Sequence, residues 1–289
     1  MKRVALIGAN SQVSRSIIPN LKKSFLLDIY SKKPYQSKDK SFKKYKIQNF
    51  PINKNIVAVI NAEGPGDPKV HKNTKNIFKL FNNLDNKILK FISKNPKIKY
   101  INISSGIVLN VSKLSKNKNK YDYANTKFYL EKKHRGYKNL KIYDLRVFGF
   151  FSRFISPEAG YFLSEILKSL KEKSILNVDS YNNVNDFIGG YDLSNFIKIL
   201  INGNFTNRYF NLLSKKRSKK FEILKFFKKY YGLKFTINKS LILNRKYKKI
   251  KLINKKFANS STFKPKYSSM SLIKKEVKVL LKNINNGKK

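Results

Sequence analysis

The segment Val4-Ala5-Leu6-Ile7-Gly8-Ala9-Asn10-Ser11-Gln12-Val13-Ser14 decides how the chain folds. Its first four residues form an unbroken apolar run, as in a strand covered on both faces. Gly8 ends the run. From Ser11 to Lys23 the apolar positions Val13, Ile17, Ile18 and Leu21 follow helical spacing, and Pro19 is expected to bend the second half. A buried strand, a glycine and a helix, in that order, form a place where a diphosphate rests on backbone N–H groups at the helix N-terminus. Such a turn usually supplies three glycines; here Ser11 and Ser14 take the second and third places, and serine lacks glycine's freedom at positive φ.

The same alternation continues outward. Phe25–Tyr30, Ile56–Asn61, Tyr100–Ser104 and Leu140–Val147 are expected strands. Between them, Thr74–Ser93 carries Ile77, Leu80, Phe81, Leu84, Ile88 and Phe91 on one helical side, and Tyr123–Lys133 is a further helix. Strands alternating with helices imply an α/β fold, a doubly wound parallel sheet with helices on both faces. Past Phe150 the rhythm loosens into a helix over Tyr161–Lys171, a loop over Asp179–Asn185, a strand over Tyr209–Leu213, and helices over Phe221–Tyr231 and Leu272–Leu281. Residues 1–148 with 186–213 are therefore expected to form one domain, and 149–185 with 214–289 a smaller one.

Composition narrows the chemistry. The 289 residues include 64 Lys and Arg, only eight of them Arg, against 16 acids, for a formal net charge of +48. With 41% apolar and 13% aromatic residues the chain folds and carries this charge outside. Lysine is spread from end to end beside abundant Asn, Ile, Phe and Tyr, which fits a base-composition bias, yet such a field also draws polyanions at low salt. Lys113–Lys120, Lys215–Lys220 and Lys246–Lys256 are the densest basic segments and are expected to be solvated surface. The absence of Cys excludes disulfides and thiolate chemistry. His71 and His134, the only histidines, are expected at the surface or at helix ends and offer little to a metal site. The longest stretch without a charge, Tyr100–Ser112, has 13 residues, too few to span a membrane, and no signal peptide opens the chain, so a cytoplasmic protein is expected.

Tyr123-Ala-Asn-Thr-Lys127 sets a phenol and an ammonium four residues apart on one helical face, where the cation is expected to lower the phenol's pKa. Ser104-Ser105 ends an expected parallel strand, where open α/β sheets build their sites, and its hydroxyl can hold a carbonyl oxygen.

In their order, the Gly8 turn, Asn61-Ala62, Ser104-Ser105, Tyr123-x-x-x-Lys127 and Leu145-Arg146-Val147 resemble the extended short-chain dehydrogenase/reductase family, in its nucleotide-sugar epimerase, dehydratase and reductase branch. Asn185-Asp186-Phe187-Ile188 with Asp192-Leu193, then Tyr209-Phe210-Asn211-Leu212, then Phe263-Lys264-Pro265 extend the resemblance over nearly the whole chain. It implies a Rossmann-type cofactor domain followed by a substrate domain. Tyr123 would be the general acid/base, Lys127 would tune it and hold the nicotinamide ribose, and Ser105 would polarise the substrate. Gly8, Asn10, Ser11, Gln12, Val13 and Ser14 would line the pyrophosphate, with Asn61, Ala62 and Asn49 on the adenosine side. Tyr30-Ser31-Lys32-Lys33 offers no acid to a ribose hydroxyl, whereas Ser31 and Lys32 could meet a 2′-phosphate, which favours NADP, with NAD as the alternative. Arg153 and Arg208 are candidates for the substrate diphosphate. The family also implies a homodimer built on Thr74–Ser93 and Tyr123–Lys133, and a role in surface-polysaccharide precursor synthesis.

Two departures trim this expectation. Ser105-Gly106-Ile107-Val108 lacks the acidic pair of a 4,6-dehydratase, and without Cys the fucose-type epimerase/reductase chemistry is excluded. A 4-keto-sugar reductase or a 4-epimerase remains, the short chain favouring the reductase. The competing expectation is a catalytically degenerate Rossmann protein whose basic surface binds nucleic acid or another polyanion.

Overall fold

The computed structural model describes residues 1–35, 39, 42–53, 55–64, 77–111, 123–238 and 262–286. His71, Lys113–Lys120, Lys246–Lys256 and the start of the expected Thr74–Ser93 helix lie outside the described residues. The central sheet comprises β1 (Arg3–Ile7), β2 (Leu26–Ser31), β3 (Lys43–Lys46), β4 (Ala58–Asn61), β5 (Lys99–Ser105), β6 (Lys141–Val147) and, following short β7 (Leu176–Asp179) and β8 (Val184–Asn185), β9 (Arg208–Leu212). Its order is β3-β2-β1-β4-β5-β6-β9, and every pairing is parallel. The chain moves outward from β1 in one direction and then returns to build in the other. Between β1 and β4 the crossovers diverge, leaving a crevice at the carboxyl ends of the strands.

Helices cover both faces. On one lie α1 (Gln12–Leu21) and α5 (Gly190–Asn202); on the other lie α2 (Ile77–Ser93) and α3 (Tyr123–Gly136). The strands are apolar throughout because alternate residues enter different cores: Val4 and Leu6 pack with Ile17, Ile18 and Phe196, while Ala5 and Ile7 pack with Ile88, Leu89 and Ile92. α1 and α5 approach closely at Gly190, where a Cβ would stand 2.4 Å from the Ser16 carbonyl oxygen. A second core joins α4 (Phe162–Glu172), α6 (Lys220–Tyr231) and α7 (Ser269–Asn286) through Ile166, Leu167, Ile223, Phe227, Ile273 and Val277. Beside it, β11 (Phe235–Asn238) pairs with β7, and β10 (Ser218–Lys219) with β8. Lys220, expected on solvated surface, is buried, and its Nζ donates to Asp179 Oδ1 at 2.8 Å. No helix among the described residues is long and apolar enough to cross a membrane.

Towards the carboxyl ends of β5 and β6 the face under α3 changes character. Tyr100, Asn102 and Ser104 on β5, and Asp144 and Arg146 on β6, point the same way and are all buried. α3 answers with Lys127, Glu131 and His134. His134, expected at the surface or at a helix end, lies in the last turn of α3 but is fully buried, with Nδ1 at 2.9 Å from Asp144 Oδ1 and Nε2 at 2.8 Å from Asp85 Oδ1. Its partners explain the difference: an ion-paired imidazole can be buried where a free one would not be. Burial alone would lower its pKa, but Asp144 and Asp85 outweigh burial and push it up to about 9.

Because the folded pKa of His134 exceeds the unfolded one, its contribution to stability is complete below about pH 6.5 and is lost as pH rises through about 9. His134→Gln should therefore cost about 3–5 kcal/mol near pH 6.5, as the two carboxylates lose their shared cation. Urea unfolding should show the difference from wild type shrinking towards pH 9.5, whereas a pH-independent difference would mean a neutral imidazole.

Candidate active site

Gly8 ends β1 with φ of +82°, and a Cβ there would stand 2.6 Å from Glu63 N and 2.7 Å from the Ala62 carbonyl carbon. Only glycine fits, because both conformation and space forbid a side chain. Ser11 has φ −64° and ψ 152°, so it needs no glycine. It caps α1 instead, its Oγ accepting from Ser14 N at 3.1 Å. Ser14 is fully buried, and the Ser11 and Ser14 hydroxyls meet at 3.1 Å. Gln12 and Val13 begin the helix, so their N–H groups have no acceptor within it. Gln12 Nε2 is buried without a hydrogen-bond partner, and Asn10 Nδ2 donates to the Lys33 carbonyl. A glycine that admits close approach, open helix amides and an unsatisfied buried amide together fit the diphosphate of a dinucleotide.

Flanking β1 are the tips of β2 and β4. Ser31 Oγ donates to the Lys33 carbonyl at 2.6 Å, and Lys32 Nζ reaches Glu63 Oε1 at 2.9 Å. Asn61 is turned inward: its Oδ1 accepts from Glu63 N and its Nδ2 donates to Tyr100 OH, each at 3.1 Å. Ala62 N donates to the Ile7 carbonyl, and Asn49 is exposed in the turn after β3.

Ser105 ends β5 and Tyr123 opens α3. Their side chains are hydrogen-bonded, and the Ser105 Oγ also accepts from Ile107 N at 3.3 Å. Tyr123 packs with Ile77, Phe81 and Leu130, and burial pushes its phenol up to about 12, the Ser105 contact only partly opposing. Lys127, one turn further on, donates to the Ile103 carbonyl at 3.0 Å and lies 4.4 Å from the Phe81 ring centre and 5.8 Å from that of Tyr123. Burial lowers it to about 8, against the pull of Asp144, Glu131 and Asp85. The expected depression of the phenol is thus absent, because the ammonium is engaged by a carbonyl and by Phe81 while burial dominates at Tyr123.

The arginine candidates fare differently. Arg153 is held by Glu276, donating through Nε at 2.9 Å and a terminal nitrogen at 3.1 Å, so its bidentate capacity is already used within the smaller core. Arg208 pairs with Tyr143 at the amino end of β9, four residues before the Leu212–Val147 pair, or about 13 Å from the site end of the sheet. It does not join the site. Two residues that sequence reasoning passed over do border it. Glu63 follows Asn61-Ala62 directly. Glu131, four residues after Lys127, accepts from Ser104 Oγ at 2.5 Å and from Arg146 Nε at 2.9 Å. Asp186 and Asp192 serve the backbone, accepting from Ser214 N and Lys266 N at 2.8 Å each.

No protein-family model and no curated protein matches the chain. Solved structures do. The dTDP-glucose 4,6-dehydratase of Bacillus anthracis in complex with NAD covers 98% of this chain and 97% of its own, at a TM-score of 0.73 and 13% identity. The fold is that of the nucleotide-sugar epimerases and dehydratases. The UDP-N-acetylglucosamine 4-epimerase of Methanobrevibacter ruminantium in complex with UDP-N-acetylmuramic acid matches at a TM-score of 0.65 and 15% identity, over 82% of this chain and 86% of that one. The UDP-glucuronic acid 4-epimerase of Bacillus cereus in complex with NAD gives 0.62 and 15%, over 82% and 87%. At such identities the likeness is one of fold.

The turn chemistry is testable by melting. Gly8→Ala should lower stability by at least about 1–3 kcal/mol, through its positive φ and the contact with Glu63. Ser11→Gly should change it by only a few tenths of a kcal/mol, because glycine is itself a tolerated cap. Equal effects would show that the turn has been misassigned.

Proposed function

We propose that this chain is an NAD(P)-dependent oxidoreductase acting on a nucleotide-linked sugar, and within that class a 4-keto-sugar reductase. The carrying observation is the hydrogen-bonded Ser105–Tyr123 pair at the carboxyl end of β5, with Lys127 one turn along α3 and the Gly8 turn two strands away. Solved neighbours that hold NAD or nucleotide sugars support the class of cofactor and substrate.

On this reading Gly8, Asn10, Ser11, Gln12, Val13 and Ser14 hold the pyrophosphate, and Ser31, Lys32, Asn49, Asn61 and Ala62 the adenosine end. Bound nicotinamide supplies a hydride to the sugar carbon. Tyr123 keeps its proton at neutral pH, so in the reducing direction it gives that proton to the carbonyl oxygen. Ser105 orients the oxygen, and Lys127 stabilises the phenolate left behind. An epimerase must first remove a proton from a sugar hydroxyl, a poor task for a phenol held near 12, which favours the reductase. The second core, drawn from residues 151–178, 223–233 and 272–280, belongs to the substrate lobe. A homodimer would cover the outer faces of α2 and α3, where Phe128 and Tyr129 are exposed and Phe78 packs edge-on against Tyr129.

Tyr123→Phe should lower turnover of a nucleotide-linked 4-keto sugar by at least about 100-fold while leaving cofactor affinity within a few-fold. Reduction by wild type should decline as pH rises through about 8, where Lys127 loses its charge. Lys127→Arg, which keeps the charge, should remove that decline. Loss of cofactor binding in Tyr123→Phe, or a pH limb unchanged in Lys127→Arg, would overturn these roles.

A further inference from the structure

We infer that Glu63 reads the adenosine ribose of the cofactor and makes the site selective for NAD over NADP, an inference that rests on the dinucleotide reading above. The strand order places β1 between β2 and β4, so the tips of the outer two strands stand on either side of Gly8. They are about 10 Å apart, two strand spacings. Lys32 from one tip and Glu63 from the other close this span at 2.9 Å, across the carboxyl end of β1.

The two partners are unequal. The Lys32 side chain is 50% exposed and that of Glu63 only 17%. Glu63 is also fixed through its backbone, since its N–H is held by Asn61 Oδ1. The neutral polar groups beside this tip are committed elsewhere, because Ser31 Oγ at the end of β2 and Asn10 Nδ2 in the Gly8 turn both donate to the Lys33 carbonyl. The second strand ends without an acid, and the carboxylate at this edge of the crevice comes from β4 instead.

An ionised carboxylate accepts hydrogen bonds from a ribose diol, but it repels a 2′-phosphate carrying nearly two negative charges. The 2′-phosphate expected from sequence required Lys32 to be free, and its charge is already met by Glu63. Lysines more than about 8 Å away are largely screened at physiological salt and add little to the discrimination.

The test is fluorescence titration of the full chain with NADH and with NADPH at physiological salt, for wild type, Glu63→Gln and Lys32→Gln. Wild type should bind NADH more tightly, and Glu63→Gln should narrow that preference about tenfold or more, the scale of a hydrogen bond to a charged group. Lys32→Gln keeps the carboxylate and should preserve the preference. An unchanged ratio in Glu63→Gln, or a preference abolished only by Lys32→Gln, overturns the inference while leaving the dinucleotide site standing. Failure of all three proteins to bind either cofactor overturns the dinucleotide reading itself.

Discussion

A protonated imidazole buried between two carboxylates fixes α3 against the sheet. His134 joins Asp85 of α2 to Asp144 of β6, Asp144 also accepts from Asn102 of β5, and Asp85 accepts from Tyr100, which in turn receives Asn61 of β4. Five elements of the fold therefore share one hydrogen-bonded network. Were the imidazole neutral, one nitrogen would have no proton to donate, and a buried carboxylate would be left short of a partner. Such networks add little net stability compared with an apolar core, but they penalise every other register. Here the register matters because Glu131 and Lys127 lie on the same helical face, and Tyr123 begins it. Sliding α3 by one residue would part Tyr123 from Ser105.

The acids show how a chain of such charge remains specific. Asp28 holds Arg3 and Asn53, Glu131 holds Ser104 and Arg146, Asp179 holds Lys220, and Glu276 holds Arg153. Most are buried, and each has a structural task. In a background this rich in lysine, a retained carboxylate is a better pointer to structure than any single lysine. Glu63 follows the same pattern at the crevice, where it meets one of the many available lysines at one defined place.

Much of the central sheet was legible because helices cover both faces, leaving long apolar runs and one glycine that nothing else can replace. Tyr123, Lys127 and Ser105 were singled out by the family resemblance as well as by helical spacing and strand position, and the structure brings Ser105 and Tyr123 into contact. β3 was not, since Lys43-Lys44-Tyr45-Lys46 is an edge strand whose lysines face solvent and leave only Tyr45 half-buried. The burial of His134 was hidden by its neighbours Lys133 and Arg135, which read as helix-end surface, and by an inward face of α3 that is charged rather than apolar. Arg153 misled because bidentate capacity does not name a partner, and Glu276 lies 123 residues away. Ser11 and Ser14 looked like losses only until the turn showed a single positive φ, at Gly8.

The most direct measurement is a crystal structure of the chain grown with saturating NADH. The account predicts the pyrophosphate on the amides that open α1, the adenosine ribose beside Glu63, and the nicotinamide ring facing Tyr123 and Ser105. A dinucleotide bound elsewhere, or a crevice still closed by Lys32 and Glu63 with no dinucleotide in it, would contradict the account.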